Sequence, residues 1–259
     1  MLVGAQAIYL RVGDAGIPVT LYTTDADISL RPELLSAEPE ISSCMENAGF
    51  VLDPSEPVGV WVTEREIEGR PSPVKVDLLV AEAVGGPGRR AARIPPHRNH
   101  TARKIRGLEG ALFDHDPMTV AALEDADKRR HEIMVAGPAA LLVAKAHKVR
   151  DRLVEKKSDR IVDKDALDIV RLLRGCDEAE VAERIKRLQS LRSSAAETER
   201  STASVGDEAV EFIRTEFGVL AGRGCDMAAR AAKGAMGEEE LRVTTIDLVQ
   251  RLLRRMAPS

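Results

Sequence analysis

The segment "TTDADISL", residues 23–30, places two carboxylates, Asp25 and Asp27, one residue apart among apolar neighbours. Read with period two, it is a strand with Ala26, Ile28 and Leu30 on one face and Asp25, Asp27 and Ser29 on the other. The two acids then point the same way, roughly 7 Å apart along the strand. Like charges so close call for a cation between them, for a basic partner or for plain solvent. An isolated pair is equally explained by an edge strand with one wet face. A third carboxylate, Asp77, alternates with Val76, Leu78 and Val80 in "SPVKVDLLVAEA" and lies on the face opposite those three side chains. Farther on, Lys145, Lys148 and Arg152 fall on one stripe of a helical pattern, and Asp165 follows in "DKDALDIVRLLR". Acids on strand faces followed by bases on a helix suit hard-cation and phosphate chemistry.

The elements that must position these side chains alternate through the first half. A short strand "MLV" leads through Gly4 and Ala5 into a helix with Ala7, Ile8 and Leu10, and "GDAGIP" ends it before the Asp25–Asp27 strand. Residues 31–50 are expected to form a helix with Pro32 near its start and Gly49 near its end. "VGVWVTERE" and "SPVKVDLLVAEA" are strand candidates around the turn-like "EGRPSP", and 83–104 is a loop punctuated by Gly and Pro. "GLEGALF", "MTVAAL" and "HEIMVA" are further strand candidates. After Gly137 and Pro138 a helix carries Leu142, Ala146, Val149 and Leu153 on its apolar stripe. A second follows, with Asp163 at its N-cap and Ala166, Ile169, Val170 and Leu173 buried. From 178 onward only helices are expected, interrupted at 190–207 by a polar, Ser-rich flexible loop or linker.

The chain has 259 residues, 44% hydrophobic, enough to bury a substantial core. The pattern divides it into an α/β domain over 1–136 and a helical C-terminal region over 137–259. A net charge of −4 gives no global attraction to nucleic acid or anionic membrane, so any such contact must be local. Cys44, Cys176 and Cys225 are odd in number, widely spaced and without C-x-x-C spacing, which argues against a disulfide framework and a zinc site and fits a reducing cytoplasm. No run approaches the length of a membrane span, and the start lacks a secretory pattern, so a cytoplasmic location is expected.

Taken in order, "LVGAQAIYL", "YTTDADISL", "VKVDLLV", "AGPAALLVAKAHKVRDR" and "DKDALDIVRLL" resemble the blocks of the nucleotidyltransferases of the DNA polymerase β superfamily. The closer likeness is to the AbiEii/MenT-type group, toxin components of bacterial toxin–antitoxin pairs, and it covers roughly residues 1–175. The resemblance implies a nucleotidyltransferase fold of α/β (α+β) class, with a mixed central sheet and a helical C-terminal region. It also implies an enzyme that moves a nucleotide from an NTP to an acceptor and releases pyrophosphate. It assigns catalytic roles to Asp25, Asp27, Asp77, Lys145 and Asp165, metal ligation of Mg²⁺ or Mn²⁺ to Asp25, Asp27 and Asp77, and nucleotide contacts to Gly4, Ala5, Thr23 and Lys145. The expected acceptor is the 3′ end of tRNA, and the expected partner a cognate antitoxin. The turn reads Gly4-Ala5 where the group usually has Gly-Gly or Gly-Ser, so a hydroxyl contact is absent while the backbone donors remain.

Residues 83–108 hold Arg89, Arg90, Arg93, Arg98, Arg103, Lys104 and Arg106 with His97 and His100 and no acid. Such a segment is a local phosphate-seeking surface, or simply a solvated basic loop. With aromatic residues at 3% there are few platforms for base stacking, so a structured acceptor such as tRNA, bound through segment 89–106, fits better than single-stranded RNA. Two alternatives stay open: transfer to a protein or small-molecule acceptor, and a catalytically silent relative that only binds a partner.

Overall fold

The structure, a computed structural model, describes residues 1–17, 25–67, 69–122, 126–155 and 163–257. The alternating stretch around Asp27 forms strand β2 (Asp25–Leu30), flanked by β1 (Leu2–Val3) and by β5 (Arg70–Ala81). With β3 (Val51–Leu52), β4 (Val60–Ile67), β6 (Arg103–Ile105), β7 (His115–Ala121) and β8 (Arg130–Ala136) they build one sheet in the order β3-β4-β5-β2-β1-β8-β7, with β6 paired to β5 off this path. The sheet is mixed: β1 runs antiparallel to β2 and parallel to β8, while β2 and β6 both run parallel to β5. β4 pairs with β5 only as far as Asp77, and from Leu79 onward β6 takes its place. Gly59 sits at this handover with φ +88°, where an added Cβ would meet backbone atoms of Leu78 and Arg103 at 2.8 Å. Asp77 therefore lies where one neighbour gives way to another, directly before the strand that carries Arg103.

One face of the sheet is covered by α1 (Gly4–Val12), α3 (Pro138–Glu155) and α4 (Lys164–Gly175). Leu2, Val3, Ile8 and Leu79 share a single core with Leu141, Leu142, Ala146, Ile169 and the helices α5 (Glu178–Ser190), α6 (Glu197–Glu216), α7 (Arg223–Ala231) and α8 (Glu238–Met256). The chain is thus α/β with a mixed sheet and a helical C-terminal region. A smaller core on the other face gathers Trp61, Leu78 and Val80 with Ile28, Leu30 and Val76, closed by α2 (Ile41–Asn47). Alternation in β2 and β5 thus sends Ile28, Leu78 and Val80 toward that smaller core and the acids toward the other face. Among the described residues no helix is long and apolar enough to cross a membrane.

Two features fix the helices that bear the cations. The Asp114 carboxylate accepts from the Ala140 N–H at 2.8 Å, satisfying a first-turn donor of α3, and Arg184 holds Asp114 in turn at 2.6 Å. In α4, Leu167, Ile169 and Leu172 are 0–1% exposed, each contributing about 1.5–3 kcal/mol through burial.

Several sequence expectations are corrected. Residues 31–50 hold a 3-10 turn at Pro32–Leu34 and a helix only from Ile41 to Asn47; Pro39 disfavours helical backbone before it. "GLEGALF" forms a buried 3-10 turn at Glu109–Leu112, since a short apolar run does not distinguish strand from helix. Arg70 to Pro73 of the expected turn belong to β5 instead. The 190–207 loop or linker is largely structured: a 3-10 turn at Leu191–Ser193 precedes α6, where Thr202, Ala203 and Val205 are buried. Small Ser and Thr residues permit close packing there, and tertiary burial overrides their modest helix propensity. Asp163 does stand at the N-cap of α4 but makes no capping bond; its carboxylate accepts from Arg230 at 2.9 Å twice.

Candidate active site

β1 is two residues long, and Val3 pairs with Asp27 of β2, which pairs with Asp77 of β5. Residues opposite one another in a ladder share a face, so the Asp27 and Asp77 carboxylates leave the sheet side by side. α1 opens at Gly4, whose φ is +70° and whose Cα lies so close to Asp27 that a Cβ would stand 1.9 Å from its Oδ2. Only glycine fits such a contact in this backbone region. Val3 offers no side-chain cap and the first turn holds no acid, so the leading N–H groups of α1, around Gly4 and Ala5, form an anion-receptive end beside Asp27. Thr23 lies outside the described residues.

Asp77 is 9% exposed, and its Oδ2 accepts from Arg103 Nη2. Its Oδ1 is buried and faces no hydrogen-bond donor. Burial raises the Asp77 pKa to about 6 against the pull of Arg103, and the Asp27 and Asp25 carboxylates push it the same way. Burial likewise raises that of Asp27, opposed by Lys148, Lys145 and Arg103. Asp25 is exposed at the start of β2, opposite Lys75. Among the described residues no three His, Cys, Asp or Glu side chains converge so as to hold a metal ion. Asp27 and Asp77 nevertheless suit a divalent cation: they are adjacent hard-oxygen donors, reluctant to ionise together, and one carries an orphaned lone pair.

Above the acids a cleft of about 540 Å³ is lined by Val3, Gly4 and Asp27, by Arg103, Lys104 and Arg106, and by α3. Six of its described lining side chains are cationic against two carboxylates, Asp27 and Asp151, so it favours a polyanion. The helical spacing 145, 148, 152 brings Lys145, Lys148 and Arg152 to one wall. Lys145 lines this wall but is largely buried, 2.7 Å from both Asp165 and Asp168, so the expected nucleotide-contacting lysine is tied to two buried carboxylates. Burial opposes its charge, but those two acids raise its pKa well above the ordinary lysine value. Asp165 is also contacted by Lys148, at 3.3 Å, and by Arg152. Although burial opposes ionisation, these three cations hold its pKa far below the usual carboxylate range. Lys148, with 46% of its side chain exposed, is the lysine of this cluster that presents open surface to the cleft.

The structure therefore brings Gly4, Ala5, Asp27, Asp77, Lys145 and Asp165 to one place and leaves Asp25 at the rim. It adds Arg103, Lys148 and Asp168. Asp168 stands three residues after Asp165, a spacing that puts both on one helix face; Arg103 is joined to Asp77 only through the β5–β6 pairing, which no local pattern announces.

The basic segment is less free of counter-charge in space than along the chain. Arg98 reaches Glu40 at 3.1 Å, Arg106 reaches Glu208 at 2.6 Å, and Arg103 is bound to Asp77. Lys104, which lines the cleft, donates to the Gly86 and Gly88 carbonyls of the loop that carries Arg89, Arg90 and Arg93, all three exposed. His97 is buried, and its Nδ1 accepts from the Ile41 N–H at 3.4 Å.

Comparison with protein-family models, with curated proteins and with solved structures finds no match for the chain. The geometry of this cleft is therefore what bears on function.

Proposed function

We propose that the chain is a divalent-cation-dependent nucleotidyltransferase that moves a nucleotide from an NTP to an RNA acceptor. The observation that carries this reading is the register that sets Asp27 beside Asp77, with the Gly4 helix start against Asp27 and both Gly4 and Asp27 lining a cationic cleft. A divalent cation held by Asp27 and Asp77, with Asp25 at the rim, would supply charge stabilisation for the attacking and leaving oxygens. The first N–H groups of α1 receive departing phosphate oxygens. Lys148 and Arg152 hold the triphosphate from the opposite wall, and Asp165 and Asp168 fix Lys145, and through Asp165 the other two cations, in position. Asp77, set beside Asp27 by the strand register, would be placed to assist deprotonation of the attacking hydroxyl.

The resemblance to AbiEii/MenT-type proteins extends the proposal. The acceptor is the 3′ end of tRNA, guided by Arg89, Arg90 and Arg93, and the biological role is that of a cytoplasmic toxin restrained by a cognate antitoxin. The test is transfer of label from each of four α-³²P NTPs to a total tRNA pool with Mg²⁺. Label should appear in RNA with the wild type and vanish with Asp27→Ala, whose circular dichroism should stay native. No labelling with any NTP, or equal labelling by the variant, would remove the enzymatic reading.

A second reading is favoured by the Arg103–Asp77 pair and by the exposed position of Asp25: a cleft that binds polyanions without transferring a nucleotide. It predicts RNA or NTP binding that survives Asp27→Ala and needs no metal.

A further inference from the structure

The Arg103–Asp77 pair is incomplete in a specific way. Arg103 is anchored through its backbone, paired with Leu79 of β5 on one side and bridged to Ala91 on the other, so its guanidinium is delivered to the cleft from a fixed base. Only Nη2 engages Asp77, through Oδ2. Arg103 Nε and Asp77 Oδ1 are both buried without a hydrogen-bond partner. Guanidinium and carboxylate usually meet through two parallel bonds, and here one donor and one acceptor are left over. Buried polar groups without partners disfavour the arrangement that leaves them so. Two other ligands would satisfy both. A divalent cation can take the Asp77 oxygens, and a phosphate can take Nε and Nη2 of Arg103 together, in the fork geometry guanidinium favours.

We infer that Arg103 is a resident counter-cation that occupies Asp77 until a polyphosphate draws it away, so that a divalent cation binds tightly at Asp77 only together with the nucleotide. The inference rests on the reading of the cleft as a metal-using nucleotidyltransferase site. Its driving force is the exchange of one half-satisfied ion pair for a carboxylate–cation contact and an arginine–phosphate fork. Because the same side chain links the two sites, nucleotide and metal affinities must be coupled, and reciprocally so. The remaining cleft cations favour this exchange, since Lys148 already stands toward Asp27 and the incoming polyanion lowers the repulsion among them. Arg103 is thus a positioning residue toward Asp77 before nucleotide binds and a phosphate ligand afterwards.

The experiment is Mn²⁺ binding to the full chain, followed by electron paramagnetic resonance of the free ion, without nucleotide and with an NTP analogue bridged by α,β-methylene. Arg103→Gln should bind Mn²⁺ about tenfold or more tightly than the wild type when nucleotide is absent. The tightening produced by the analogue should shrink by the same factor. Arg103→Met, which keeps the aliphatic stem, should behave alike and serves if Arg103→Gln does not fold. Adding Asp77→Asn to Arg103→Gln should abolish the gain. Unchanged or weaker Mn²⁺ affinity in both Arg103 variants, or a gain that survives Asp77→Asn, would overturn the inference. A gain in affinity with no nucleotide transfer by the wild type would uphold the counter-cation and remove the transferase; transfer without the gain would do the reverse.

Discussion

Asp27 and Asp77 stand opposite one another in the register of two parallel strands, and their carboxylates leave the sheet on the face where α3 presents Lys148. Burial, helped by the neighbouring Asp27 and Asp25 carboxylates, raises the Asp77 pKa to about 6 in the folded protein, where an unfolded carboxylate has 3.8. A group whose folded pKa is raised binds more protons folded than unfolded between those two values, so stability falls as pH rises through that window. In metal-free buffer the wild type should lose stability between about pH 4 and pH 6, by up to about 3 kcal/mol from Asp77. Urea midpoints measured across this range check it, and Asp77→Asn should flatten that part of the profile.

Gly4→Ala should disable the site. The added Cβ would overlap the Asp27 carboxylate at 1.9 Å, and φ +70° costs an L residue about 1–2 kcal/mol. Transfer activity should fall about 10²-fold or more. Ala5→Ser, by contrast, should retain activity, since it keeps the backbone donors and adds the hydroxyl usual in the resembling group. Parallel kinetics of the two variants decide the point.

Lys145 and Lys148 should separate by phenotype. Lys145→Met leaves Asp165 and Asp168 buried with one cation fewer and should cost about 3–5 kcal/mol of stability. Lys148→Met should leave the melting temperature nearly unchanged and weaken NTP binding, because its side chain is half exposed at the cleft. Calorimetry of NTP binding alongside thermal melts gives both readouts. A Lys148→Met variant with wild-type NTP affinity would return the phosphate contact to Lys145.

Arg89, Arg90 and Arg93 should carry the RNA contact, whereas Arg98 and Arg106 are engaged by Glu40 and Glu208. Replacing the first three with alanine should weaken tRNA binding. It should also flatten the dependence of affinity on the logarithm of salt concentration, by roughly 0.7–0.9 for each phosphate that is no longer neutralised. Arg98→Ala should change the slope little. Filter binding across a salt series measures it.

Much of the site was legible because its signals are local. Alternation set Asp25 and Asp27 opposite Ile28 and Leu30, Gly4 marked a helix start, and the 3.6-residue stripe of α3 put Lys145, Lys148 and Arg152 together. What the sequence hid is non-local. Arg103 meets Asp77 across 26 residues through a strand exchange at Gly59, and Asp168 shares Lys145 only because α4 packs against α3. The polar composition of 190–207 concealed α6, whose small buried residues pack against neighbouring helices rather than forming a conspicuous apolar stripe. The expectation that Lys145 meets nucleotide came from its position in the resembling block; Lys145 does line the cleft, and what the sequence did not announce is that two buried acids, Asp165 and the less conspicuous Asp168, both engage it.

The proposed role of Asp27 and Asp77 as a cation-assisted site for nucleotide transfer is tested most directly by pyrophosphate release. With Mg²⁺, mixed NTPs and total tRNA, the wild type should release pyrophosphate in proportion to acceptor added, and chelation should stop it. Asp27→Asn should slow it by about 10²–10³-fold or more while melting as a folded protein. Absence of release by the wild type, or equal release by Asp27→Asn, would contradict the account.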